Sequence, residues 1–143
     1  ANTAEEVKIT IGCVSERPEE ASMLVKGRDL RTGLPRETMV TSSELLETLR
    51  RPAWRIVDEV LSVLELSSPE LVSDVAQNGI VLTGGGSQIF GMDRLIQERT
   101  ELPCMVADDP ESCVALGCGK SLQWINSMQE GTINIARRKL MRE

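Results

Sequence analysis

Histidine is absent from this sequence, and so is tyrosine. Without histidine, a Ser-His-Asp triad, a Cys-His pair, an H-E-x-x-H zinc site and a histidine proton shuttle are all excluded within the chain. The only aromatic residues are Trp54, Phe90 and Trp124, too few for a base-stacking surface of the single-strand-binding kind. Positive charge is in deficit, with 16 Lys and Arg against 22 Asp and Glu for a net −6. Nucleic acid and anionic membranes reward a basic face, so neither is expected as a partner. No apolar run approaches the roughly 18 to 20 residues of a membrane helix. C-x-x-C spacing is missing too, which removes zinc knuckles and thioredoxin-like motifs. The four cysteines, Cys13, Cys104, Cys113 and Cys118, read as free thiols of a cytoplasmic protein.

What is present describes a folded chain. Its 143 residues are 41% apolar and 27% charged, the balance of a globular domain or of two small subdomains sharing a core. The start, Ala1-Asn2-Thr3-Ala4-Glu5-Glu6, has neither the basic residues nor the apolar stretch of a signal peptide. It lacks an initiating Met, so the chain is expected to be processed or cut from something longer.

Local patterns divide the chain into elements. Thr3 and Glu6 fit a capping box. Ala4, Val7 and Ile11 then share a helical face, although Val7, Ile9 and Ile11 also alternate as in a strand. Residues 15–20 read as a polar loop. Ser22–Lys26 and Thr38–Thr41 are strand candidates joined by a turn-rich stretch, a β-hairpin with a long connection. Thr41 and Glu44 offer a second capping box, followed by Leu45, Leu46 and Leu49 at helical spacing. Pro52 suits the first turn of a new helix, in which Ala53, Val57, Val60, Leu61 and Leu64 form an apolar stripe opposite Arg55, Asp58, Glu59 and Glu65. Ser68-Pro69-Glu70 starts a third helix that Asn78-Gly79 stops. The remainder alternates: strand Ile80–Leu82, helix about Gly91–Arg99, strand Cys104–Val106, helix Ser112–Asn126 with Val114, Leu116, Cys118, Leu122 and Ile125 apolar. That order implies a parallel pair with a crossover helix. The segment Gln129–Glu143 carries Arg137, Arg138, Lys139 and Arg142; such a basic tail could contact membrane phosphates or an acidic partner, but it reads rather as a solvated tail or terminal helix.

Three places could carry chemistry. Thr83-Gly84-Gly85-Gly86-Ser87 removes every Cβ where the chain leaves a strand for a helix, so a sugar or phosphate can approach the backbone. It is neither a P-loop nor a dinucleotide fingerprint, and by itself such a turn also serves plain chain reversal. Glu5, Glu6 and Lys8 sit at helical spacing and could bond a ribose or the edge of a base; alone they also describe a solvated first turn. Asp108 and Asp109 could be a carboxylate pair for magnesium, but Pro110 directly after them points to helix capping.

Taken together, these words resemble the carboxyl-terminal half of the MreB family, the bacterial actin-like cell-shape proteins. The resemblance runs from about Thr3 to about Trp124. It is carried by Thr3-Ala4-Glu5-Glu6-Val7-Lys8-Ile9 with Ile11-Gly12, then Gly27-Arg28-Asp29-Leu30 with Thr32-Gly33-Leu34-Pro35. Pro69-Glu70-Leu71, Gly79-Ile80-Val81-Leu82-Thr83-Gly84-Gly85-Gly86 and Leu102-Pro103 follow. Asp109-Pro110, Val114-Ala115-Leu116-Gly117 and Gly119-Lys120 complete it.

The resemblance implies an α/β fold, the ribonuclease-H-like second lobe of the actin/Hsp70/sugar-kinase superfold, with a smaller α+β outer subdomain. On that reading residues 1–12 are a helix at the subdomain junction and 13–50 the outer subdomain with its hairpin. Residues 51–127 are then the inner α/β subdomain and 128–143 a tail. The family binds ATP with magnesium between two lobes and polymerises under the cytoplasmic membrane, where it organises peptidoglycan elongation and maintains rod shape. Self-association into filaments and cell-wall elongation proteins are therefore the implied partners, at the inner face of the membrane; no direct membrane contact is implied for this half. The family's nucleoside contacts carry over onto Ala4, Glu5, Glu6, Val7 and Lys8 and onto Gly84, Gly85, Gly86 and Ser87. Both phosphate loops and the acidic residues that orient the attacking water have no counterpart in this sequence. Phosphoryl transfer needs positioned charge around the γ-phosphate and magnesium, so the chain is expected not to hydrolyse ATP alone, with magnesium held mainly by the other lobe. The rival readings are a sugar kinase or Hsp70-like ATPase of the same superfold, and a nucleotide-independent interaction module.

Overall fold

The structure is a computed structural model and describes residues 2–124. Helix α1 spans Asn2–Ile11. Ile9 decides between helix and strand here. It is 73% exposed, whereas Val7 and Ile11, four residues apart, are buried; a strand would have put all three on one face. Because α1 already includes Asn2, Thr3 lies within the helix and does not act as its N-cap, contrary to the capping-box reading.

Strands β1 (Ser22–Arg28) and β2 (Pro35–Thr41) pair antiparallel from Ser22 opposite Thr41 to Arg28 opposite Pro35. They are longer than the sequence pattern suggests. Asp29 is the reason. Its Oδ1 accepts from the amides of Arg31 and Thr32 at 2.8 and 3.0 Å, and its amide donates to the Leu34 carbonyl. This Asx turn closes the connection in residues 29–34, so the ladder continues almost to the turn.

Helix α2 (Ser42–Leu66) starts at the expected box: Thr41 Oγ1 accepts from the Glu44 amide, and the Thr41 amide donates to Glu44 Oε2 at 2.9 Å. The helix then runs unbroken through Pro52, where the sequence suggested a new start. An interior proline costs about 3 kcal/mol. Leu49 before it and Ala53 and Val57 after it pack into one core, and that shared burial keeps the two halves coaxial.

Helix α3 (Pro69–Asn78) lies between Ser68 and Gly79 as its ends predict. Strand β3 (Ile80–Leu82), helix α4 (Met92–Thr100) and strand β4 (Cys104–Val106) follow, with β3 and β4 parallel. Helix α5 (Cys113–Trp124) closes the described chain. It begins after Pro110, so Asp108 and Asp109 are not its N-cap and Pro110 is not in its first turn. Pro110 is buried in a turn whose carbonyl accepts from the Gly84 amide at 2.6 Å, and that long-range bond holds it short of the helix.

The core lies between α2, α4 and the 13–14 segment. Val14, Ala53, Val57, Met92, Leu95 and Ile96 are buried, with Leu49, Leu61, Ile80, Leu82, Ile89 and Cys104 packed around them. The Val14 amide donates to the Phe90 carbonyl at 2.9 Å, which ties the chain after α1 to the end of the glycine turn. All four cysteines are free. Burial and the Asp93 carboxylate push the Cys104 thiol upward, which favours its protonated form.

The apolar positions Val114, Leu116, Cys118 and Leu122 of α5 are exposed, as are Val81 of β3 and Met105 of β4. Parallel strands are normally covered on both faces, and among the described residues nothing covers this one. Ile125 and the basic segment Gln129–Glu143 lie outside the described residues.

Candidate nucleoside site

The glycine turn is built by its two ends. β3 stops at Leu82, and Gly84 adopts φ +80°, ψ 161°, backbone that is essentially restricted to glycine. Residues Gly85–Gln88 then make a short 3₁₀ turn. Ser87 holds it closed: its Oγ donates to the Gly84 carbonyl at 2.6 Å and its amide to the same oxygen at 3.1 Å. The fold itself does not demand glycine at 85 and 86. A Cβ at Gly86 would meet nothing within 4 Å, and one at Gly85 would meet only the Glu111 side chain, at 3.6 Å. Their bareness leaves backbone open toward a cavity.

That cavity measures about 350 Å³ and is lined by Glu5, Lys8 and Ile9 of α1, by Gly85, Gly86, Gln88 and Ile89, and by Glu111. Two segments some eighty residues apart in sequence thus share one pocket. Glu5 and Lys8 are neighbours on the helix surface, and neither forms a salt bridge among the described residues, so both remain available to a ligand. Gln88 Nε2 donates to Glu111 Oε1 at 3.0 Å. Apolar walls, two carboxylates, one ammonium and bare glycine backbone suit a nucleoside: a planar ring, hydroxyl donors and a close approach.

Of the residues carried over from the sequence, Glu5, Lys8, Gly85 and Gly86 come together here. Val7 and Ser87 are buried, Val7 facing inward from α1 and Ser87 spent on the turn. Ala4 and Glu6 are exposed and Gly84 is half-buried, and none of the three lines the cavity. Ile9, Gln88, Ile89 and Glu111 were not singled out by sequence. For Glu111 the only hint is its place directly after Asp109-Pro110. Asp108 and Asp109 are exposed, and among the described residues no cluster of three or more His, Cys, Asp or Glu could hold a metal. Depressions of about 500 Å³ at the hairpin end and about 650 Å³ beside α4, and one of similar size, about 360 Å³, at Cys13, Arg17 and Ser42, have no bare glycine turn in their lining.

Solved structures define the class of protein. The chain superposes with TM-score 0.81 on MreB5 of Spiroplasma citri bound to ADP, at 34% identity over 90% of this chain and 40% of that one. The AMPPNP-bound form gives 0.81 and 36% over 88% of this chain and 38% of that one. The fold is actin-like. The family model described as MreB/Mbl protein matches residues 1–130, and the chain belongs to that family of actin-like cell-shape-determining proteins. It is 44% identical over 124 residues to the cell shape-determining protein MreB of Escherichia coli (strain K12), covering 87% of this chain and 36% of that protein. To the cell shape-determining protein Mbl of Bacillus subtilis (strain 168) it is 39% identical over 120 residues, 84% of this chain and 36% of that one. The chain thus spans little more than a third of the length of these relatives.

Proposed function

We propose that this chain is the carboxyl-terminal lobe of an ATP-dependent, filament-forming bacterial actin that maintains rod shape by organising peptidoglycan elongation at the inner face of the membrane. In that protein it supplies the nucleoside half of the ATP site and part of the assembly surface. The observation that carries the reading is the cavity shared by Glu5 and Lys8 of α1 with the bare turn Gly85–Gly86. The ADP and AMPPNP named for the two MreB5 structures support a nucleotide as its occupant.

The residues fit one end of ATP. Glu5 accepts from ribose hydroxyls, Ile9 and Ile89 flank the base, and the glycine backbone permits close approach. Magnesium and the γ-phosphate would be held mainly by the missing lobe, and the exposed apolar side chains Val81, Met105, Val114, Leu116 and Leu122 are available to pack against chain outside this one. Phosphoryl transfer needs charge placed around the leaving and attacking oxygens, so the chain by itself binds weakly and does not turn over.

Backbone hydrogen exchange with and without millimolar magnesium-ATP tests this. Slowed exchange at both 4–8 and 84–87 is expected. Exchange unchanged at both would remove nucleotide binding from this chain and leave it an assembly domain.

A further inference from the structure

Aromatic residues make up only 2% of this chain, yet one of them stands half in water. Trp54 of α2 is 47% exposed. Arg50, one turn before it, lies over its ring with Cζ 5.6 Å from the centroid, and Arg99 of α4 lies over the same ring at 5.8 Å. Arg51 shares that face, because residues three and four apart are neighbours on a helix. The stretch Arg50-Arg51-Pro52-Ala53-Trp54-Arg55 holds three arginines and no carboxylate, in a chain of net charge −6. Among the described residues neither Arg50 nor Arg51 forms an ion pair, and Arg99 reaches Asp58 only at 3.8 Å. Glu47 and Asp58 bound this basic patch along the same side of α2.

Tryptophan and arginine are the side chains most often found anchoring protein interfaces. Stacking on the indole restrains the two long side chains, so less rotamer freedom is left to lose when a carboxylate arrives. Each guanidinium offers a planar fork that matches a carboxylate. The exposed half of Trp54 supplies apolar surface between them. We propose that this face of α2 and α4 docks an acidic segment of a partner protein, with carboxylates on Arg50, Arg51 and Arg99 and an apolar side chain laid against Trp54. A bilayer fits the face less well. Anionic lipid repels a chain of net −6, and Trp54 is sunk by half between its neighbours, unlike the fully projecting apolar face of an interfacial helix. None of these residues lines the nucleoside cavity, so the inference stands apart from the nucleotide reading.

The test titrates the 143-residue chain into a fluorescein-labelled peptide, Asp-Glu-Leu-Asp-Glu-Phe-Asp-Glu, and follows anisotropy. A control peptide carries Asn and Gln in place of Asp and Glu. The acidic peptide should bind and the amide control should not, and added salt should weaken binding. Arg50→Gln and Arg51→Gln should each weaken it about threefold to fivefold, the size of an exposed charge pair. Trp54→Ala should weaken it more than about tenfold, as for an interface anchor. Should Trp54→Ala unfold, the two arginine variants, whose side chains are exposed, still decide the matter. Three outcomes overturn the proposal: no binding of the acidic peptide at millimolar concentration, equal binding of the amide control, or binding that survives the arginine variants. Two more reassign the face and overturn it equally. One is Trp54-dependent sedimentation with phosphatidylserine vesicles without peptide binding. The other is self-association that Arg50→Gln abolishes, again without peptide binding, which would make a second copy the occupant.

Discussion

The amide of Gly84 donates to the carbonyl of Pro110 at 2.6 Å. One bond thereby couples the turn after β3 to the turn after β4, the two segments that present Gln88 and Glu111 to the cavity. Gly84 makes it at φ +80°, where a side chain is strained. Gly84→Ala is expected to lose about 1 to 3 kcal/mol. Urea denaturation followed by circular dichroism measures this; a loss below a few tenths would mean the turn rearranges freely.

Gly86 should behave in the opposite way. A Cβ there meets nothing within 4 Å, so Gly86→Val should change stability by less than about 0.5 kcal/mol, as at a permissive surface position. The valine would nevertheless occupy the cavity floor. Protection of 84–87 by magnesium-ATP should fall, and unchanged protection would place the ligand elsewhere.

Thr41 and Glu44 act reciprocally at the start of α2. Thr41→Ala should cost about 1 kcal/mol, and Glu44→Ala less. Because the two bonds form one box, a double-mutant cycle should return a coupling of a few tenths of a kcal/mol or more; strict additivity would show that the box is not formed in solution.

Asp29 responds to acid. Bonds from the Thr32 and Arg31 amides and from Arg36 hold its carboxyl below its ordinary 3.8. A carboxyl lowered on folding stabilises the folded turn above the unfolded value and stops doing so as pH falls through the folded one. Amide exchange at Arg31 and Thr32 should therefore accelerate as pH drops below 3.8, after correction for intrinsic rates. Asp29→Asn should remove most of that dependence, and a flat profile in the wild type would refute the assignment.

Much of this was legible from local pattern. The stripe Ala53, Val57, Val60, Leu61 and Leu64 is buried or half-buried as its spacing implies, because a helix turns the same face to the core wherever it packs. The β3–α4–β4 order and the ends of α3 followed from Gly, Pro and apolar runs for the same local reason. Pro52 and Pro110 were misread because their outcomes depend on long-range partners: the core that holds α2 together, and the Gly84 amide that pins the turn before α5. Likewise Val7 and Ser87 look like site residues in their words, and only packing shows them turned inward.

By itself the sequence determined the family, the excluded chemistries and the bare glycine turn, since residue identity and spacing are enough for these. Tertiary structure alone decided which carried-over residues meet. It brought α1 onto the turn, placed Glu5 and Lys8 beside Gly85 and Gly86, and added Gln88 and Glu111 as a bonded pair. Contacts between segments so far apart in sequence are set by how the core closes, and no local spacing encodes them.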